Sequence, residues 1–216
     1  WGSYGIHGTN ACDSEVSRMK LFENSNGGIL LGPRATMKEC NVDMSHGLGI
    51  KVGDASRITG CRLFGNMGTG IQTSFGAKIQ SCLTVENMGD GIYAGDFATV
   101  KECQAGGNHS NGIVAGHSCL VFENTCSMNG ITNNSGAGIL VGGSANRIEK
   151  NNLSGNYCGI QLTNGANRVE NNHVMGNVYG IQDDGQGNSL FRNSVGNSST
   201  SNYVVTSESI YGELIK

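Results

Sequence analysis

The chain has 216 residues, with 14 basic and 17 acidic side chains, a formal net charge of -3, 35 glycines and one proline. Charge this sparse and this balanced offers no electrostatic footprint for a polyanion, so nucleic acid is not an expected partner. No apolar run is long enough to span a bilayer, so no membrane span is expected.

The dipeptide Gly-Ile stands at Gly5-Ile6, Gly28-Ile29, Gly49-Ile50, Gly70-Ile71, Gly91-Ile92, Gly112-Ile113, Gly138-Ile139, Gly159-Ile160 and Gly180-Ile181. The steps are 23, 21, 21, 21, 21, 26, 21 and 21 residues. Such a period marks a solenoid, in which one repeat cannot bury its apolar side alone and stacks on its neighbours. The repetition is unbroken, so residues 1–216 read as a single domain. It opens at Trp1 inside a repeat, which implies a missing N-terminal cap.

Behind each Gly-Ile comes a second apolar position, at Met37, Ile58, Ile79, Val100, Val121, Ile148, Val169 and Leu190. A third runs through Leu21, Val42 and Leu63 and resumes at Leu153, Val174 and Val195. Three apolar pieces of about three to five residues, bounded by Gly, Asn, Asp or Ser, are too short for helices and read as strands joined by turns. The expected fold is all-β: a single-stranded right-handed parallel β-helix with three short strands per 21-residue rung and about nine to ten rungs. A left-handed hexapeptide coil needs a period near 18 built of sixes, and a leucine-rich repeat needs several leucines before an Asn. Neither pattern is present.

The strings Asn66-Met-Gly-Thr-Gly-Ile71, Asn87-Met-Gly-Asp-Gly-Ile92 and Gly155-Asn-Tyr-Cys-Gly-Ile160 resemble repeats of the pectate-lyase-like right-handed β-helix superfamily. With its closing Asn202-Tyr203-Val204-Val205, the whole chain resembles secreted bacterial β-helix proteins of undefined activity. The resemblance implies a secreted or cell-surface location and a polysaccharide partner. Superfamily members include pectate lyases, polygalacturonases, mannuronan epimerases and phage tailspikes. The Asp-Pro-His string of the epimerases is absent, as are the Asn-Thr-Asp and Gly-His-Gly strings of the polygalacturonases.

Two columns read as interior. Cys40, Cys61, Cys82 and Cys103 fall 21 apart, between Met19 and Asn124, and are expected to pack inward as small apolar side chains. Sulfurs in a row do not make a tetrahedron, so no zinc is expected there. Asn151, Asn172 and Asn193 form the second column, where inward amides hydrogen-bond along a bend. Cys12, Cys119, Cys126 and Cys158 lie outside these columns, and a local Cys119–Cys126 bridge is left open.

Strand alternation sends the residue after each Gly-Ile outward, giving His7, Leu30, Lys51, Gln72, Tyr93, Val114, Leu140, Gln161 and Gln182. Of these, His7, Gln72, Tyr93, Gln161 and Gln182 are the candidate ligand-binding side chains for a polymer laid along the coil. Three residues on come Asn10, Pro33, Asp54, Phe75, Asp96, His117, Gly143 and Asn164. A uronate lyase or epimerase needs a base and enolate stabilisation, and a hydrolase needs two carboxyls about 5 to 10 Å apart. Lys51, Asp54, Asp96 and His117 are the candidates for such work, with Asp90 beside them. The rival expectation is a non-catalytic structural or adhesive solenoid.

The longer sixth step puts extra residues between Ser127 and Ser135, overhanging one end of the polar face. Asp183-Asp184-Gly-Gln-Gly-Asn188 carries oxygen ligands of the sort calcium takes but lacks EF-hand spacing, so no cofactor is assigned. His46 and His109 fall in turns and read as surface histidines. If the cysteine column is interior, Cys82→Asp buries an unpaired charge costing several kcal/mol and abolishes soluble expression. Recovery of the variant in the soluble fraction checks this.

Overall fold

The structure is a computed structural model and describes residues 3–205 and 208–212. The chain winds as a right-handed parallel β-helix of about ten turns, and the described residues contain strands and turns with no helix. Three flat walls result. The first has ten strands, from Tyr4–Gly8 to Ser201–Val205; the second has ten, from Glu15–Ser17 to Ile210–Tyr211; the third has nine, from Lys20–Phe22 to Ser194–Gly196.

Register follows the sequence period. Ile29 pairs with Ile50, Ile71 with Ile92 and Ile79 with Val100, so each apolar column becomes an inward stack. Stacked Ile29, Ile50, Ile71, Ile92 and Ile113 are almost wholly buried, and each contributes about 1.5–3 kcal/mol by leaving water. The third wall fills its sequence gap with small residues: Thr84, Ala105 and Cys126 occupy the inward column between Leu63 and Leu153. Cys126 is thus a core residue of that wall, whereas Cys119 lies in a corner, and all eight cysteines are free. The Cys119–Cys126 bridge left open by the sequence is not formed.

The glycine of Gly-Ile is required by crowding. A Cβ on Gly28 would lie 2.0 Å from Val42 Cγ1, and one on Gly159 would lie 2.3 Å from Val174 Cγ1. Here the first wall swings close across the core to the third.

Every rung turns three corners, and each is built alike: a residue in the left-handed backbone region, then an inward side chain. Arg34, Ala55, Gly76, Phe97 and Ser118 hold the left-handed position at the first corner, and Glu39, Gly60, Ser81 and Glu102 at the second. The next residue along forms the inward column. At the third corner this column is Asn66, Asn87, Asn108, Asn129, Asn156 and Asn177; at the second it is Cys40, Cys61, Cys82 and Cys103, then Asn124, Asn151, Asn172 and Asn193. The first corner ends in Asn146, Asn167 and Asn188.

These columns take up the backbone hydrogen bonds that the bends would break. Asn66 donates its N–H to Oδ1 of Asn87 at 3.1 Å, Asn87 to Asn108 at 3.1 Å, and Asn108 to Asn129 at 3.1 Å. The Nδ2 groups donate to the same oxygens and to carbonyls of the previous rung, as Asn129 does to Ala105 at 3.0 Å. Cysteine serves more weakly: the N–H groups of Cys40 and Cys82 meet Sγ of Cys61 and Cys103 at 3.5 Å. The next sulfur in the column, with burial after it, pushes the Cys61 thiol well above its ordinary range and Cys82 up to about 12. Ion pairs between rungs, such as Arg34–Asp13 and Arg18–Glu39, are exposed to solvent and add little.

Asn129→Ala strands the buried Asn108 N–H, takes one of the two acceptors from its Nδ2, which keeps Thr84 O, and should cost about 3 kcal/mol. Gly76→Ala, whose new Cβ meets nothing within 4 Å and is opposed only by a φ of +67°, should cost about 1 kcal/mol. Denaturant midpoints of the two variants check both the size and the order.

Candidate functional site

The outward column of the first wall is one continuous line. His7 pairs with Leu30, Leu30 with Lys51, Lys51 with Gln72, Gln72 with Tyr93, and the line continues through Val114, Leu140, Gln161, Gln182 and Val204. Val114 is only 8% exposed and Leu140 half-buried, so the line divides into two polar stretches. One runs from His7 to Tyr93 and holds Lys51 and Gln72. The other is Gln161 and Gln182.

At the first corner, Asp54, Phe75, Asp96 and His117 stack one per rung. Oδ1 of Asp54 accepts the N–H of Phe75 at 3.2 Å, and Oδ1 of Asp96 accepts that of His117 at 2.8 Å. The Nδ1 of His117 accepts the N–H of Ser144 at 3.1 Å. Ser144 therefore continues the column, not Gly143. From that rung on, the segment between the Gly-Ile strand and the corner is one residue longer, which displaces the sequence alignment at Gly143 and Asn164. The carboxylates of Asp54 and Asp96 hold turns and are separated by a rung carrying Phe75. Phe75 and Phe97 pack tilted, with centroids 4.8 Å apart, on the outside of this corner. Asp90 does similar work at the third corner, where its Oδ1 accepts the N–H of Asn111 at 3.0 Å and an amide hydrogen at 2.8 Å.

The inserted loop walls one end of the second polar stretch. Its chain is folded back by Ser135 N–H donating to Gly130 O at 3.1 Å, with Gly130 and Gly136 at φ +68° and +106°. The Cys158 N–H then donates to Gly136 O at 3.1 Å. Between this loop and the last strand of the wall lies a groove lined by Ser135, Gly136, Tyr157, Tyr179, Gln161 and Gln182. The rings of Tyr157 and Tyr179 meet edge to face at 5.6 Å and 70° along its flank. Cys158 also lines it as a buried thiol pushed up to about 12 by desolvation. The two tyrosines were not singled out by the sequence, because Tyr157 precedes its Gly-Ile strand, Tyr179 opens the next one, and both lie outside the outward column that follows Gly-Ile.

Asp183 in the Asp183–Asn188 turn points inward. Its Oδ1 accepts from the Gly185 N–H at 3.1 Å and Asn188 Nδ2 at 2.7 Å, while Asp184 accepts from Gln182 Nε2 at 2.9 Å. Among the described residues no three His, Cys, Asp or Glu side chains gather in a way that holds a metal ion.

The third corner carries another line that sequence reading left as separate surface residues. Directly after the inward column come His46, Met67, Met88 and His109, one per rung. His109 is not without a partner: its Nδ1 is hydrogen-bonded to Thr132 Oγ1 of the inserted loop at 2.8 Å. The 21-residue step of these four was present in the sequence.

A family model described as "Periplasmic copper-binding protein (NosD)" matches residues 76–213, well over half of the chain. The chain belongs to the NosD family. The A-module of the mannuronan C-5 epimerase AlgE6 of Azotobacter vinelandii is similar in structure, with TM-score 0.72 and 14% identity, over 93% of this NosD-family chain and 64% of that one. The AlgE4 A-module of the same organism gives 0.68 and 14%, over 93% and 62%. Tailspike protein 2 of bacteriophage CBA120 gives 0.61 and 12%, over 82% and 35%. The NosD-family chain thus spans less than two thirds of the length of these structures, and at such identities the likeness is one of fold. No curated protein sequence matches the chain.

If the Asp96 carboxylate serves the turn, Asp96→Asn, which keeps an acceptor oxygen, should leave stability within about 0.5 kcal/mol, while Asp96→Ala should lose about 1 kcal/mol. Thermal unfolding of the pair checks this.

Proposed function

We propose that this chain binds a linear polysaccharide along the coil axis, in the groove over Gln161 and Gln182. The observation that carries the reading is the groove itself. A wall of stacked amides gives one hydrogen-bonding side chain per rung at about 4.8 Å spacing. Two tyrosine rings flank it and offer flat apolar faces to sugar rings. Similar folds occur in proteins named for mannuronan epimerisation and in tailspikes, which supports a glycan as the class of ligand. His7, Gln72 and Tyr93 extend the same face beyond Val114 as a second polar stretch. The family's description as periplasmic supports a location outside the cytoplasm.

Binding without turnover is the form proposed. Asp54, Asp96 and His117 already hold backbone N–H groups of the first corner, and Lys51 is the cationic candidate on the open wall. The experiment is isothermal titration with alginate, pectin and neutral polysaccharides, alongside assays for unsaturated products and new reducing ends. Gln161→Ala/Gln182→Ala should weaken binding about 10-fold or more, as loss of two paired polar contacts implies. Absence of binding across the panel overturns the reading in favour of a purely structural solenoid, and product formation overturns its non-catalytic part.

Copper gives a second reading, favoured by the family description together with the third-corner line. The line holds two imidazoles and two thioethers, donors whose softness suits copper(I), with the carboxylates of Glu23 and Glu86 beside His46 and Met67.

A further inference from the structure

The third corner and the wall before it keep several large apolar side chains on the outside of the coil. Met67 is 61% exposed, Met128 65% and Phe22 60%, and Met44 is exposed beside them. A contiguous apolar surface of this kind marks a place where another molecule sits. Two surface grooves run through it. The first is lined by Met44, Phe64, Gly65 and Met67, with Glu23 and Glu86 at its edges. The second is lined by Leu83, Val85, Gly106, Gly107 and Met128, again with Glu86. Glu86 belongs to both, so the two grooves make one trough along the coil, from the rung of Glu23 to the rung of Met128.

The trough has a pitch. In successive rungs the left-handed position of the third corner is Glu23, Met44, Gly65, Glu86, Gly107 and Met128. Gly65 and Gly107 leave notches between the side chains above and below: a Cβ on Gly65 would lie 3.6 Å from Met44 Cγ, and one on Gly107 3.6 Å from Glu86 Cγ. Gly106 widens the second notch, because it stands between Val85 and Ser127 in the outward column of the third wall. The notches are two rungs apart, about 9.6 Å. Side chains one heptad apart on an α-helix are separated by about 10.5 Å, and flexible thioethers absorb a difference of about 1 Å. The whole trough spans five rung spacings, about 24 Å, the length of about 16 helical residues. An extended strand repeats a face at about 6.8 and 13.6 Å and misses the second notch. A polyproline segment repeats near 9.3 Å but docks in grooves lined by aromatic rings, whereas thioethers wall this one. Charge completes the fit: among the described residues neither Glu23 nor Glu86 is in an ion pair, while Arg62 on the facing wall is already held by Asp43 at 2.7 Å.

We infer that this trough binds an amphipathic α-helix of a partner protein, with two apolar side chains one heptad apart seated at Gly65 and at Gly106–Gly107, and lysine or arginine along the edge that faces Glu23 and Glu86. Helix-in-groove recognition needs an apolar channel that adapts to its occupant, and methionine-rich surfaces supply that adaptability. The surface is separate from the glycan groove, with which it shares no lining residue, so the two readings stand or fall independently.

The test uses the full chain and a fluorescein-labelled synthetic peptide of about 16 residues, with leucines at i, i+4 and i+7 on one face, lysines along one edge and glutamine elsewhere. Fluorescence anisotropy should show one peptide bound per chain, and circular dichroism a gain of helix on mixing. Gly106→Phe, whose Cβ makes only an ordinary contact of 3.6 Å with Ser127 Oγ, fills the second notch and should weaken binding about 30-fold or more. Its unfolding midpoint should be unchanged or raised, because a strand position gains from an aromatic side chain. Glu86→Lys should weaken binding about 10-fold and tighten a peptide carrying glutamates in place of the lysines by about the same factor. No binding by the wild-type chain, or undiminished binding by both variants, overturns the proposal. Tighter binding of a proline-rich peptide of the same length and charge overturns the helix and gives the trough to an extended segment.

Discussion

One interaction governs the coil: wherever the inward corner residue is asparagine, serine or cysteine, its side chain accepts the backbone N–H of the rung before it. A parallel β-helix must bend three times in 21 residues, and each bend takes a peptide group out of the strand ladder while leaving it buried. A buried N–H without a partner costs about 1–3 kcal/mol, and some 27 corners multiply that beyond the total stability of an ordinary domain. Asparagine answers the need best because its amide both accepts and donates, so Asn87, Asn108 and Asn129 close a continuous buried chain. Serine and cysteine accept with less capacity, which fits their place in the early rungs.

The sequence disclosed the scaffold because the solenoid translates a period directly into contact. Gly-Ile at a 21-residue step implied in-register stacking, and Ile71 does lie between Ile50 and Ile92. Two of the three asparagine columns were nevertheless passed over. Asn66 and Asn87 were seen as the opening of their Asn-Met-Gly strings, and the run through Asn129 to Asn156 jumps by 27 because two separate insertions fall between them. Asn146, Asn167 and Asn188 follow cysteine and alanine in their corner, so identity alone did not link them to the early rungs.

Legibility was lower at the site. Alternation placed Gln161 and Gln182 on the outer face, but it could not show that Val114 is covered or that Tyr157 and Tyr179 flank a groove, since those depend on how a loop of non-repeating sequence folds back. The carboxylates illustrate the converse. Asp54 and Asp96 carry the right chemistry in the right column, yet short side chains beside a turn are captured by the nearest backbone N–H. Chemistry read from residue type has to be tested against what the main chain nearby already demands.

The corner columns also give the coil a direction. In the inward columns each backbone N–H sits on the earlier rung and its side-chain acceptor on the later one, up to Asn188, whose N–H is taken by Ser209 Oγ at 3.3 Å. Peeling away a late turn strands the buried column N–H groups of the turn before it, whereas peeling away an early turn costs a column amide only its bond to the earlier carbonyl and leaves its Nδ2 on the next oxygen. Fraying is therefore asymmetric: the two ends of the spring are chemically inequivalent, and whatever seals the late end must bring acceptors with it.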